Sequence, residues 1–437
     1  MEWWLVLLLV FGGFFLLMAM NMPVAFAFLL VNFVAAFLLW QGPAGLVFTL
    51  TNIRAAVSNF SFMPLPLFIL MGEVIFQSGI AAHMIDAFDK WFGRLPGRLS
   101  IMAVAAGTLL GALTGATMAS TAILGTALLP EMEKRGYQKA MSLGPILGSA
   151  GLACMIPPSG MAVIIASLAN VSVGGLLIAG ITPGLMMAAL YAVYITIKCK
   201  LNPLLAPPYD VPPTPLLKKM SDTAKYILPC GGIIFLVTGI IFLGVATPTE
   251  AAATGALGTV ILVACYRRLT LAVIWKSLAN TVRITVMVLL IIAASGVFGQ
   301  VLTFSEATKG LIKFALSFPV APIVLITAMQ AVGLFLGCLM STVAIVMIVI
   351  PVFMPVVRAL GFNPLWFSLV LLLCMEIGAI SPPFGLSLFV MKGVVPTDTT
   401  MEDIYKSVLP YIACNLLVMA LLIAFPGVVL MLPNLMK

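Results

Sequence analysis

GALTGATMASTAILGTALLPEMEKRGY, residues 111–137, is followed after an apolar run by CMIPPSGMAVII, residues 154–165. The pair occurs twice. Adding 225 to the numbering brings its features back: Thr117 meets Thr342, Pro130 meets Pro355, and Gly136-Tyr137 meets Gly361-Phe362. Pro157, Pro158 and Gly160 meet Pro382, Pro383 and Gly385. Each copy is an apolar segment interrupted by small and hydroxyl residues, then a loop, then a second apolar segment interrupted by Pro-Pro. In an apolar chain, paired interrupted segments in corresponding halves point to a transporter site near the membrane midplane.

Composition supports that reading. Of 437 residues, 62% are hydrophobic and only 8% are charged, against about 25% charged in soluble domains. So few charges leave little surface for water. An all-α membrane protein with about ten transmembrane helices fits the length at roughly 20 residues per span. Strand-period alternation is absent, which argues against a barrel. The first 20 residues lack a basic leader region and read as a retained helix. The net charge of +8 reads as basic loops held in the cytoplasm rather than as nucleic-acid binding. The seven cysteines form no CxxC pair and read as free thiols. A single histidine, His83, excludes HExxH zinc chemistry, and no GxxxxGK[ST] loop suggests an ATP-driven pump.

Working outward, residues 3–20 and 23–41 read as spans, and 44–57, with Arg54 inside, as too short and polar for a confident one. Pro64 and Pro66 start a new helix over 67–80. Residues 81–99 read as an interfacial amphipathic helix and turn. Five regions follow. Residues 1–99 hold N-terminal scaffold helices. Residues 100–198 are a first transport half, with a hairpin at 100–130 and a broken helix at 140–170. Residues 199–225 are a Pro-rich linker containing Pro203, Pro207, Pro208, Pro212, Pro213 and Pro215, expected to be stiff and extended. Residues 226–304 are second scaffold helices, with spans at 226–244, 251–266 and 284–304. Residues 305–437 are a second transport half, with a hairpin at 318–355, a broken helix at 364–392 and a last span at 405–430.

Charge decides whether 100–130 crosses the membrane. Lys90, Arg94 and Arg98 precede it, and Lys134, Arg135 and Lys139 follow. A re-entrant hairpin keeps both clusters on one side, as positive charge prefers. With the N-terminus outside and ten spans, only Arg54, Lys309, Lys313, Arg358 and Lys437 remain outside, so 17 of the 22 Lys and Arg lie in the cytoplasm. The second hairpin then falls on the outer side. The expectation is two oppositely oriented re-entrant hairpins in an inverted repeat.

The chain resembles the large membrane subunit of tripartite ATP-independent periplasmic (TRAP) transporters over essentially its whole length. The resemblance rests on Ser58-Asn59-Phe60 with Pro66-Leu67-Phe68, Leu129-Pro130-Glu131-Met132 with Lys134-Arg135-Gly136-Tyr137, Pro157-Pro158-Ser159, and Ala246 to Ala253 (ATPTEAAA). In the second half it rests on Pro351 to Pro355 (PVFMP), Ala359-Leu360-Gly361 and Pro382 to Leu386 (PPFGL). It implies Na⁺-driven uptake of a small organic anion, whether carboxylate, dicarboxylate or sugar acid, in the bacterial inner membrane. A periplasmic binding protein and a small four-helix membrane subunit are the implied partners, and an elevator-type motion is the implied mechanism. Two positions depart from the family pattern. Met340 stands where many members carry Asp, and Ala116-Thr117-Met118-Ala119 replaces adjacent serines.

The chemistry expected at the breaks follows from helix ends. C-terminal half-helix ends present carbonyls, which suit Na⁺, and N-terminal ends present amides, which suit a carboxylate. A first Na⁺ site is expected from Thr114, Gly115, Thr117 and Ser120 facing Ile156, Pro157 and Ser159. A second is expected from Gly337, Ser341 and Thr342 facing Ser381 and Pro382. The substrate is expected near Ser159, Gly160, Pro383 and Gly385. For each hydroxyl the alternative is a bond to a carbonyl one turn back. Among the acids, Glu376 is a candidate for a proton or Na⁺ site, and Glu73 for pairing with a partner subunit. Glu250 is either functional or a helix cap. Asn59 and Arg54 are further candidates, Arg54 either for lipid or partner contact or as a solvated loop charge. No cofactor other than the coupling ion is expected. A proton-coupled or stand-alone anion transporter of related fold is the alternative; an enzyme or a channel fits the repeats less well.

Overall fold

The computed structural model describes residues 2–39, 42–91, 95, 97–207 and 215–436. Gln41, Arg94, Pro208, Pro212, Pro213 and Lys437 lie outside them. Among the described residues every regular element is helical. Seven helices are long and apolar enough to cross a membrane, and Lys139–Met155 with Gly160–Ala169 makes an eighth candidate span bent by 45°. Trp3–Ala19 and Val24–Leu39 are shorter apolar helices.

The offset of 225 extends from motifs to whole elements. Thr117–Lys134 matches Thr342–Ala359, and Lys139–Met155 matches Pro364–Ile380, end to end. Trp3–Ala19 and Val24–Leu39 match Leu228–Phe242 and Pro248–Cys265, and the amphipathic Ile80–Asp89 matches Ala307–Leu316. One stretch breaks the match. The first half has Pro43–Val57, a turn at Phe60–Phe62 and then Pro64–Ser78, whereas the second has one 34-residue helix, Leu271–Phe304. Prolines 64 and 66 carry no backbone N–H, so a helix restarts there instead of continuing; residues 271–304 contain no proline.

Several boundaries differ from those expected. Residues 43–57 are helical despite Arg54. The span expected at 284–304 starts at Leu271, because Lys276 and Arg283 ride on the exposed side of a continuous helix. The linker is not uniformly extended: Pro203–Leu205 form a turn and Leu216–Asp222 a helix. The last long helix ends at Ala424, and Pro426–Leu430 form a separate short one.

The first hairpin is made by Arg98–Thr114 and Thr117–Lys134. Its tip turns at Gly115, whose φ of 58° is left-handed and easiest for glycine, followed by extended Ala116. The arms fold back on one another. A Cβ added to Gly107 would lie 3.2 Å from Leu124 Cδ1, and these residues are nearly equidistant from the tip. The second hairpin, Pro322–Gly337 and Thr342–Ala359, likewise has arms packed together.

The two halves run in opposite directions. Lys139, at the start of the first broken helix, lies 3.1 Å from Asp403, just beyond the end of the second. At the far end, Arg358 donates to the carbonyl of Ala169, 2.8 Å away. Ala169 ends the first broken helix, and Arg358 leads into the start of the second. Each broken helix therefore begins where the other ends, and the hairpins open toward opposite ends of the molecule. Gly151 and Glu376, which are repeat mates, meet between the halves: a Cβ on Gly151 would sit 2.7 Å from Glu376 Oε2. Contact between equivalent residues places them near the pseudo-twofold axis of an inverted repeat.

Candidate functional site at the two helix breaks

The first tip and the first break touch. A Cβ on Gly115 would lie 3.1 Å from the Pro158 carbonyl oxygen and 3.9 Å from Ser159 Cα. Thr114 and Ser120 are buried with their hydroxyls 2.8 Å apart. Beyond the break, Ser159 caps the helix Gly160–Ala169 by accepting from the Ala162 N–H at 3.2 Å. Its oxygen thus already has a protein partner, which the sequence reading left out. Ile156 and Pro157 precede the cis Pro157-Pro158 peptide, with Ile156 extended. Thr114, Gly115, Ala116 and Gly160 line a cavity of about 70 Å³ together with Glu73, Phe68 and Ile284. The Glu73 carboxylate accepts from Asn280 at 3.0 Å and Gln77 at 3.2 Å. Both partners lie within this chain.

At the second break the contacts are differently made. Gly337 and Gly378 cross with their backbones touching, a Cβ on Gly378 falling 2.7 Å from Gly337 Cα. Ser341 caps Thr342–Ala359 in position, with no side-chain bond to the helix. Ser381 takes the ordinary alternative: its hydroxyl donates to the Ile377 carbonyl, one turn back, at 2.6 Å. Among the described residues no hydrogen bond joins Ser341 or Thr342 to Ser381 or Pro382. The Ala379 and Ser381 carbonyl oxygens converge on Gly385, within 2.8 Å of where its Cβ would stand. Glycine alone leaves room for that approach. The Pro383 carbonyl accepts from the Tyr405 hydroxyl at 2.8 Å, and Pro382-Pro383 is also cis.

Glu376 belongs to the other tip. It is 3% exposed, and its Oε1 accepts from the Thr117 hydroxyl at 2.7 Å. Cys154 Sγ lies 3.4 Å from the same hydroxyl. Glu376 Oε2 is buried without a hydrogen-bond partner. The pairing of Thr117 with Glu376, and the nearby Cys154 and Gly151, were missed by reading the sequence. One signal was present: Gly151 and Glu376 are 225 apart.

Two candidates serve their own helix ends. Glu250 and Thr247 form a reciprocal capping box at 2.8 and 3.3 Å, so the cap is the reading the geometry bears. Asn59 is exposed and caps the short turn Phe60–Phe62 by accepting from Ser61 N–H at 2.9 Å. A cleft of about 700 Å³ opens at the opposite end from Lys139, between Leu271–Phe304, Thr342–Ala359 and the end of Gly160–Ala169. Arg358 is its charged lining residue, with Asn170, Gln300 and Thr303. Its size suits a small organic molecule.

Comparison with known proteins agrees with this architecture. The chain is 30% identical over 377 residues to the C4-dicarboxylate TRAP transporter large permease protein DctM of Pseudomonas aeruginosa, covering 86% of this chain and 87% of that protein. It is 28% identical to the sialic acid TRAP transporter large permease protein SiaM of Vibrio cholerae, covering 98% of each. Among solved structures, the YdaH transporter of Alcanivorax borkumensis superposes with a TM-score of 0.64 at 14% identity, over 92% of this chain and 96% of that one. Such identity speaks for the fold alone. Residues 11–428 match the family model described as the tripartite ATP-independent periplasmic transporter, DctM component. With two oppositely opened hairpins, two Pro-Pro breaks and that match across nearly its whole length, the chain belongs to the DctM family of TRAP transporter large permease subunits.

Proposed function

We propose that this subunit imports a small organic anion with Na⁺, receiving it from a periplasmic binding protein in the bacterial inner membrane. The observation that carries the reading is the meeting of a hairpin tip and a helix break at Gly115 and Pro158, with the second hairpin arm and second broken helix crossing in the opposite orientation at Gly337 and Gly378. Carbonyls freed at a break are tolerated inside a membrane only where protein, water or an ion satisfies them. The first Na⁺ site is assigned to Thr114, Gly115, Thr117 and Ser120 with Ile156, Pro157 and Ser159. The second is assigned to Gly337, Ser341 and Thr342 with Ser381 and Pro382, supported by the carbonyls of Ala379 and Ser381 around Gly385. The anion sits between them, at the helix N-termini after Ser159-Gly160 and Pro383-Gly385, where backbone N–H groups favour a carboxylate.

The regions 100–198 and 305–437 form the moving transport unit in this proposal, and 1–99 and 226–304 the scaffold, completed by a small four-helix subunit. Carboxylates, dicarboxylates and sugar acids are the substrate classes to test. The decisive assay is uptake into proteoliposomes containing this chain and its small subunit, with the binding protein supplied outside. A Na⁺ gradient should drive accumulation, and Thr117→Val and Ser381→Ala should weaken Na⁺ dependence per folded protein. Uptake indifferent to Na⁺ but driven by a pH gradient would transfer the reading to a proton-coupled transporter.

A further inference from the structure

At the end of the molecule that carries Lys139 lies a second cluster, unconnected with the breaks. His83 on Ile80–Asp89, Lys225 and Tyr226 on Thr223–Ile227, and Tyr266, Arg267 and Arg268 after Pro248–Cys265 surround a pocket of about 230 Å³. The rings organise it. Tyr226 and Tyr266 stack with centroids 5.7 Å apart, and His83 lies 5.2 Å from Tyr226. Lys225 Nζ stands 5.2 Å from the Tyr226 centroid, and the Tyr266 hydroxyl donates to the Lys225 carbonyl. Arg268 is 2.7 Å from His83 Nε2. Among the described residues no carboxylate forms an ion pair with Lys225, Arg267 or Arg268.

Lys225, Arg267 and Arg268 are exposed and, with Asp222 as the acidic neighbour of Lys225, leave a net positive charge around one pocket that attracts an anion. The pocket stands where two candidate spans, Leu216–Phe242 and Pro248–Cys265, reach the same end. That is the height at which tyrosines and basic side chains meet phospholipid headgroups. The two helices leaving it carry exposed Leu228, Phe235, Leu257 and Ile261, apolar surface along which acyl chains can lie. The geometry points to a binding site for the phosphate of an anionic phospholipid, held by Lys225, Arg267 and Arg268 against the tyrosine pair.

Native mass spectrometry of the full-length chain in mild detergent tests this, with phosphatidylglycerol and phosphatidylcholine as probes. Phosphatidylglycerol should be retained more tightly. Each basic residue removed should weaken it about fivefold, so Lys225→Ala with Arg268→Ala should weaken it roughly 25-fold. Lys406→Ala, which removes an exposed lysine of a different helix, should leave retention unchanged. Lys225→Gln alone, which removes a ring contact and no packed group, covers the case in which the double variant fails to fold. Equal retention of the two lipids, or full phosphatidylglycerol retention by Lys225→Gln, would overturn the proposal. Displacement of the lipid by millimolar inorganic phosphate would overturn it too, by making the site one for a soluble anion.

Discussion

The Thr117 hydroxyl donates to Glu376 Oε1 at 2.7 Å, joining the first hairpin tip to the second broken helix across 259 residues of chain. The carboxylate is buried and its other oxygen lacks a partner, so Thr117 supplies its hydrogen bond from the opposite half. Removing one partner of a hydrogen bond so that a buried polar group is left unsatisfied costs about 1–3 kcal/mol. Thr117→Val should therefore lower stability by roughly that amount, and Thr117→Ser by much less. In the Thr117→Val background, Glu376→Gln should do less harm than it does alone. Denaturant or thermal unfolding in detergent reads all four variants. Identical stability of the valine and serine variants would show that the bond does not hold the halves together.

The crossing of Gly337 and Gly378 makes a second, purely steric prediction. A Cβ on Gly378 would fall 2.7 Å from Gly337 Cα and 3.0 Å from its carbonyl carbon. Backbone cannot swing away as a side chain can, so Gly378→Ala should cost about 1–3 kcal/mol by overpacking. Gly393, on a neighbouring helix, has nothing within 4 Å of its Cβ position. Gly393→Ala should be neutral, or stabilising by up to about 1 kcal/mol through helix propensity. Melting temperatures that rank the two the other way would contradict the crossing.

Glu250 separates a cap from a transport residue. Its carboxylate and the Thr247 hydroxyl close a capping box at the start of Pro248–Cys265. Thr247→Ala should cost about 0.5–2 kcal/mol. Glu250→Gln should cost less and leave both the KM for substrate and the Na⁺ dependence of uptake unchanged. A shift in Na⁺ dependence with unchanged stability would move Glu250 back among the site candidates.

The parts legible in the sequence were those with short-range chemical causes. Pro157-Pro158 and Pro382-Pro383 announce breaks because two adjacent prolines remove two successive helix donors and add two ring clashes, whereas single prolines such as Pro130, Pro145 and Pro355 stay inside helices. Gly115 marks a tip because it takes a left-handed conformation. The basic clusters on both flanks of the first hairpin marked its two ends as lying on one side, and its arms do fold back on one another. Long-range pairings left no such trace. Nothing local to Glu376 indicates Thr117, and nothing local to Glu73 indicates Asn280. The helix at 271–304 was cut short in the reading because Lys276 and Arg283 interrupt its hydropathy, although both simply face outward. Ser381 shows the limit at the site itself, since a hydroxyl beside a break bonds its own helix as readily as an ion.

The inversion has a direct chemical test. Lys134 and Ala359 are repeat mates, each ending the second arm of its hairpin, and both are exposed. The contacts of Lys139 with Asp403 and of Arg358 with Ala169 put these two ends on opposite sides of the molecule. Cys265 is the exposed native thiol and must first be replaced by serine to clear the background. In that background, Lys134→Cys and Ala359→Cys should react with a membrane-impermeant maleimide from opposite faces. The basic flanks of the first hairpin assign Lys134 to the cytoplasmic face, reached only in inverted vesicles, and Ala359 to the face open in intact cells. Labelling of both from one side would require the two hairpins to open in the same direction. The antiparallel broken helices, which place Gly151 against Glu376, do not permit that arrangement.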